Sequence, residues 1–257
     1  MLEGQNVCVI DVETLHSAQE CRHCGKAKED HANIVAEFVD APKPIWYCGQ
    51  GNTVYEAIGW DNHIALGLSI GCLYRYDTDR YQFFDVHTLE DTMSWLVEAQ
   101  PLLVSFNGIR FDFPLLYGLL NAKAEALQTE LGFASDRCLS LWNICCVFKT
   151  QYLVSYDILA EIWQADPDDK FKPGLNSLDA ISVANGYGRK EMDGVTAPRR
   201  WKAGKIANVV NYNMGDVWKT RKLFEQIMIT GIILRGDLKP IALPRSCDWL
   251  DDWHVIA

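Results

Sequence analysis

The chain has 257 residues, 49% of them hydrophobic and 23% charged, with a formal net charge of −10. That length suits one α/β domain or two small ones, and the composition excludes a disordered, fibrous or membrane-spanning protein, because no run approaches the roughly 18 apolar residues of a span. The acidic balance disfavours a protein that coats nucleic acid through an extended basic surface, but not an enzyme that grips one strand end.

In chain order, Val7-Cys8-Val9-Ile10 reads as a strand buried on both faces that ends at Asp11. Residues 15–62 read as an insertion after it, a long polar stretch holding Cys21-Arg-His-Cys24, His31, Cys48 and the Pro-rich Ala41-Pro-Lys-Pro44. Ile64 to Tyr74 and Tyr81 to Val86 read as two strands joined by the turn-forming Asp77-Thr-Asp79, which predicts an antiparallel meander of the first three strands. Thr88-x-x-Asp91 has the pattern of a capping box, with Leu89, Met93, Leu96 and Val97 at helical spacing behind it. Leu102 to Phe106 is a further buried strand, after which Asn107-Gly108 turns the chain into a helix with Asp112 at its start and Pro114 in its first turn. Lys123 to Gln151 reads as helices and a connector, and Leu153 to Asp157 as the fifth strand, followed by a short helix through Trp163. Asn176 or Ser177 can cap a helix that ends before Gly186, and the last strong element spans about Ile206 to Met228. No internal repeat or interdomain linker interrupts the pattern, so residues 1–257 are expected to form a single domain.

Three short motifs carry chemistry. Side chains two apart on a strand share a face, so Asp11 and Glu13 can reach one cation. Tyr212 and Asp216, four apart on a helix, are neighbours on one face, and Asp112 sits at a helix start, where a carboxylate is favoured. Four converging carboxylates make a ligand set for hard cations such as Mg²⁺ or Mn²⁺. Each motif alone is unspecific. Their order and separations, 101 residues from Asp11 to Asp112 and 104 from Asp112 to Asp216, are not.

Asp11-x-Glu13 in "VIDVET", Asp112 in "SFNGIRFDFP" and Tyr212-x-x-x-Asp216 in "NYNMGDV" resemble the three exonuclease motifs of the DEDD superfamily, tyrosine branch. Within that branch they are most similar to the proofreading exonuclease domain of family B DNA polymerases and its stand-alone relatives. Leu178-Asp179-Ala180 and Met192-Asp193-Gly194 also look like segments that precede the third motif in those relatives.

The resemblance implies a ribonuclease H-like fold, an α/β mixed five-stranded sheet flanked by helices. It also implies a two-metal 3′-5′ exonuclease acting on a single-stranded 3′ end, with DNA as the expected substrate. Asp11, Glu13 and Asp216 would hold one Mg²⁺ or Mn²⁺, Asp11 with Asp112 the second, and Tyr212 would orient the attacking water. A 3′ exoribonuclease of the RNase D kind uses the same five residues, and a catalytically idle nucleic-acid-binding adaptor would keep the fold. With no polymerase domain after Ala257, a stand-alone enzyme is expected rather than a proofreader in cis.

Two features lie outside that pattern. Cys21-x-x-Cys24 has the spacing of half a zinc site and is a candidate for one structural Zn²⁺, with His16, His23, His31 and Cys48 available to complete it, beside the alternative of a buried Cys48 and solvated histidines with no metal. Arg189, Lys190, Arg199, Arg200, Lys202 and Lys205 cluster before the third motif, where they are either a solvated loop or contacts to strand phosphates. Of these, Arg199 and Arg200 are expected to bind substrate, with Asn107 at the strand end and Phe111, Phe113 and Trp201 as candidate base-stacking rings. Nine cysteines, an odd number, in a chain whose N-terminus lacks a signal pattern predict reduced thiols, a cytoplasmic location and no membrane partner.

Overall fold

The computed structural model describes residues 4–34, 45–50, 53–132, 135–169, 172 and 174–245. The chain opens with β1 (Val7–Thr14), after which comes a small antiparallel sheet of β2 (Ala32–Ile34), β3 (Ile45–Cys48) and β4 (Thr53–Val54). A single helical turn, α1 (His63–Leu66), leads to the hairpin β5 (Leu68–Arg75) and β6 (Arg80–Phe84). The units α2 (Leu89–Ala99), β7 (Leu102–Ser105), α3 (Asp112–Leu131), α4 (Asp136–Leu153), β8 (Tyr156–Asp157) and α5 (Ile158–Ala165) follow. The described chain ends with α6 (Leu178–Ala184), α7 (Thr196–Lys202), α8 (Ile206–Thr230) and the hairpin β9 (Ile232–Leu234) and β10 (Pro240–Ala242).

The main sheet is mixed and five-stranded, in the order β6-β5-β1-β7-β8, with β1 antiparallel to β5 and parallel to β7. It is the α/β, ribonuclease H-like arrangement. Residues of β1 alternate between two cores: Cys8, Ile10 and Val12 pack with side chains of α2, α3 and α4, whereas Val7 and Val9 pack with those of α5, α6 and α8. A strand covered on both faces needs apolar residues on both, which is why this segment reads as one continuous apolar run.

Several sequence expectations shift. β1 does not end at Asp11 but continues to Thr14, because β5 still pairs with it at Asp11, Val12 and Glu13 after β7 has stopped pairing at Val9. Residues 63–66 are a helical turn rather than the start of a strand: the Asn62 side chain accepts from the Ala65 amide at 3.3 Å, and Gly67, at φ 61°, stops the turn. Thr88 forms no capping box, because its hydroxyl bonds Asp85 in the preceding turn at 3.0 Å. The fifth strand shrinks to Tyr156–Asp157, since α4 runs on through Leu153. Ser177 rather than Asn176 caps α6, accepting from the Ala180 amide at 3.2 Å. The basic stretch is not all loop, because Thr196–Lys202 is helical. Ala41-Pro-Lys-Pro44 and Cys247 lie outside the described residues. Among the described residues no helix is long and apolar enough to cross a membrane.

Candidate active site

The alternation of β1 decides where its acids go. Asp11 and Glu13 continue the face of Val7 and Val9, toward α8, and one turn of α8 presents Tyr212, Asn213 and Asp216 to them. A carboxylate oxygen from each of Asp11, Glu13 and Asp216 lies within 4.8 Å of the others. Asn213 donates to Asp11 Oδ2 at 2.6 Å and fixes that carboxylate's orientation.

Asp112 arrives from the opposite layer, as the first residue of α3. Beyond Val9, β1 has lost β7 as a partner, and the Val12 amide donates to Asp112 Oδ1 at 3.1 Å. The unpaired strand edge thus anchors the fourth acid beside the other three. The turn that delivers it is held by Asp157, whose two carboxylate oxygens accept from the Asn107 and Ile109 amides at 2.8 and 3.0 Å. Asn107 adopts the left-handed conformation at φ 71°, one that asparagine tolerates better than most residues. Gly108 is needed for internal packing rather than for approach to a ligand, because a Cβ there would stand 2.4 Å from Ser105 Oγ and 2.5 Å from its Cβ. Gly108→Ala is therefore expected to lower unfolding free energy by about 1–3 kcal/mol in a urea titration, the usual cost of overpacking.

The electrostatics are those of buried like charges. Loss of hydration, then the charges of Asp112, Asp216 and Glu13, hold the Asp11 carboxyl well above the usual carboxylate range. Burial followed by Asp216 does the same to Glu13, and burial pushes Asp112 up to about 7. Asp216 is raised by burial despite the Lys190 ammonium, which forms a short ion pair with its Oδ2 and lies 3.3 Å from the Tyr212 hydroxyl. Burial opposes the charge on Lys190, but Asp216 and Asp11 outweigh it and raise its pKa. Burial and the neighbouring carboxylates also push the Tyr212 phenol up, so it keeps its proton. Asp216 Oδ1 is buried and accepts no hydrogen bond from the described residues. An unsatisfied buried carboxylate oxygen among like charges is costly, and hard cations with oxygen-ligand preference would remove that cost. The donor set therefore fits Mg²⁺ or Mn²⁺.

Other expected residues are placed unevenly. Phe113 is fully buried and stacks on Tyr152 at 5.7 Å, so it belongs to the core and not to a base-stacking surface. Trp201 packs on Ala197, Val209 and Tyr212. Phe111 is half-buried and meets Trp60 and His63 edge-on at 5.8 and 6.0 Å, close to Asp112. Arg199 is exposed and borders a hollow lined by Ser17, Glu20 and Tyr55, whereas Arg200 is half-buried. Lys202 is exposed but engaged by neighbouring side chains, 2.6 Å from Glu20 and 2.9 Å from His16. A groove beside Tyr212 is lined by both the 178–179 and the 192–194 segments, and Asp179 accepts there from the Lys190 amide at 2.6 Å.

Comparison with known proteins identifies one family, described as a predicted 3′-5′ exonuclease related to the exonuclease domain of PolB, which matches residues 79–240. That is more than half of the chain. The chain belongs to this family. Membership supports a nuclease function and implies a nucleic-acid substrate. The matched segment contains Asp112, Tyr212 and Asp216, while Asp11, Glu13 and the cysteine segment lie before it. No curated protein and no solved structure matches the chain. The link between the exonuclease family's segment and Asp11-x-Glu13 is thus made by geometry.

Asn213, Asp157 and the inward-facing Lys190 were not assigned to the site from sequence. Asn213 adjoins Tyr212, yet nothing in its spacing marks it. Lys190 reads as one more member of a basic cluster, and only the path of the chain between α6 and α7 carries it to Asp216.

Proposed function

We propose that this protein is a metal-dependent 3′-5′ exonuclease that shortens single-stranded DNA, with Asp11, Glu13, Asp112 and Asp216 as ligands of two Mg²⁺ or Mn²⁺ ions. The observation that carries this reading is the gathering of carboxylates from β1 and α8, with Asp112 of α3 held on the Val12 amide beside them, in a member of a 3′-5′ exonuclease family. Mutual repulsion makes such a cluster unfavourable unless cations are bound to it. Two divalent ions held there would supply a nucleophile at neutral pH and stabilise both the attacking and the leaving oxygen of a phosphodiester.

The chain's own residues bind and orient. Asp11, held by Asn213, would be a ligand at both metal positions. Tyr212, protonated, orients the attacking water through its hydroxyl and does not act as a base. Asn107 and Phe111 border the strand end, and the Phe111–Trp60 pair offers an apolar ring surface to a terminal base. Arg199 and Arg200 contact strand phosphates without reading sequence. The relation to the PolB exonuclease domain supports DNA as the substrate. In this reading residues 1–257 are one exonuclease domain with 15–62 inserted, and the odd number of cysteines suits a reducing, cytoplasmic setting.

The test is degradation of a 3′-labelled single strand with Mn²⁺, beside a matched RNA. Release of labelled mononucleotide from DNA is expected. Faster cleavage of the RNA would overturn the substrate, and equal behaviour of wild type and Asp11→Asn would leave only a binding protein. Lys190→Ala supplies a second check. Its ammonium competes with cations for Asp216, and a charge-assisted hydrogen bond is worth about 1.5–3 kcal/mol, so the half-saturating Mn²⁺ concentration is expected to fall roughly tenfold. An unchanged or higher metal requirement would contradict that competition.

A further inference from the structure

A second group of metal-ligating side chains stands apart from the acids, in the segment between β1 and α1. There the chain doubles back on itself: Cys21 N donates to Lys26 O at 2.8 Å, Gly25 N donates to Cys21 O at 2.7 Å, and Gly25 makes the turn at φ 68°. One ligand atom from each of Cys21, Cys24, His31 and Cys48 lies within 4.8 Å of the other three. Cys21 and Cys48 are 0% and 1% exposed, so these sulfurs are held out of water.

The histidine is oriented for the same point. His31 Nδ1 is 2.7 Å from the Ala27 carbonyl oxygen, which can only accept, so Nδ1 carries the proton. That leaves the lone pair of Nε2 facing the sulfurs, 3.2 Å from Cys24 Sγ. A ring nitrogen tied to a carbonyl with its partner turned to soft ligands is the usual arrangement around a bound metal. The other imidazoles of the segment are turned elsewhere: His16 to Glu20 and Lys202, and His23 toward Glu56 at 3.9 Å.

We propose that Cys21, Cys24, His31 and Cys48 bind one structural Zn²⁺. Three sulfurs and one imidazole nitrogen make a closed tetrahedral set, which zinc prefers and which Mg²⁺ and Mn²⁺ do not. A disulfide would join two sulfurs and leave the third beside an imidazole for no gain. A sheet of three short strands also needs a staple. The bound ion orders the segment that continues directly from Glu13: Ile58 N donates to Glu20 O at 2.8 Å, Tyr55 hydrogen-bonds the Gln19 carbonyl, and Glu20 reaches Lys202 of α7 at 2.6 Å.

The experiment measures metal, not cleavage, so it stands apart from the exonuclease reading. Full-length protein, expressed with zinc and dialysed, is expected to retain about one zinc per chain, and Asp11→Asn to retain it equally. Exchange for Co²⁺ should give intense visible bands of a tetrahedral site with thiolate charge transfer. Cys24→Ser and Cys48→Ser should lose the metal, whereas His31→Cys should keep it with a shifted Co²⁺ spectrum. If the serine variants do not fold, the wild-type zinc content and Co²⁺ spectrum decide alone. Zinc far below one per chain, a Cys21–Cys24 disulfide recovered by mass spectrometry, or undiminished zinc in Cys48→Ser would each overturn the proposal.

Discussion

Asp11→Asn and Asp216→Asn are each expected to abolish shortening of a 3′-labelled strand while leaving the chain folded. In the proposed two-metal reading each substitution removes a ligand, and stabilisation of transition-state charge by a metal is worth several kcal/mol. At about 1.4 kcal/mol per tenfold, the loss in kcat is on the order of 10³-fold or more. Asp11→Asn also removes one like charge, so that metal-free variant should melt at or above the wild-type temperature at neutral pH, whereas Asp216→Asn also strips Lys190 of its ion-pair partner and should lose stability. A drop in both activity and melting temperature of Asp11→Asn would make that acid structural. Retention of more than about a tenth of wild-type activity would be too much for a lost metal ligand.

The metal-free protein should become less stable as pH rises from about 5 to about 7, and Mn²⁺ should abolish that trend. Asp112 has its folded pKa raised to about 7 by burial, and Asp11 and Glu13 are also raised well above the ordinary carboxylate range. Between the unfolded value near 4 and the raised folded value the native chain binds more protons than the unfolded one. Its stability is therefore full below that window and is lost as pH climbs through it. For Asp112 alone the change is on the order of 3 kcal/mol, roughly 5–10 °C in melting temperature for a chain of this size. Divalent cations bind the deprotonated cluster, so with Mn²⁺ present stability should hold or increase toward neutral pH. Thermal melts at a series of pH values, with EDTA and with Mn²⁺, measure both arms. A metal-free melting temperature that rises through this window would mean that the carboxylates do not share a dry site.

The Lys190 ammonium belongs to the same balance. It partly neutralises Asp216 in the metal-free state but leaves that carboxylate's second oxygen without a partner among the described residues. Lys190 and the buried Lys219 together bring two positive charges against four acids, which is the physical reason divalent cations are expected here.

Much of the site was legible from local pattern. The apolar run before Asp11, the spacing of Asp11 and Glu13, the helix start at Asp112 and the four-residue interval from Tyr212 to Asp216 follow from the periods of strand and helix, which are fixed by backbone geometry. The three-strand meander and the long last helix were legible for the same reason. What failed were ends and short elements. Thr88 has the sequence of a helix cap, yet a nearer acceptor in Asp85 takes its hydroxyl. Residues 63–66 are apolar enough for a strand, yet Asn62 and Gly67 close them into a turn.

Alternation and the helical repeat are local, so residue order specifies which faces carry acid. Which faces meet depends on packing between distant segments: α8 across β1, Asp112 on the amide that β7 leaves unpaired, and Lys190 on Asp216. The cysteine segment divides in the same way. Cys21-x-x-Cys24 is visible as a pair, but the choice of His31 and Cys48 over His16 and His23 rests on hydrogen bonds and ion pairs between residues distant in sequence, which no local spacing encodes.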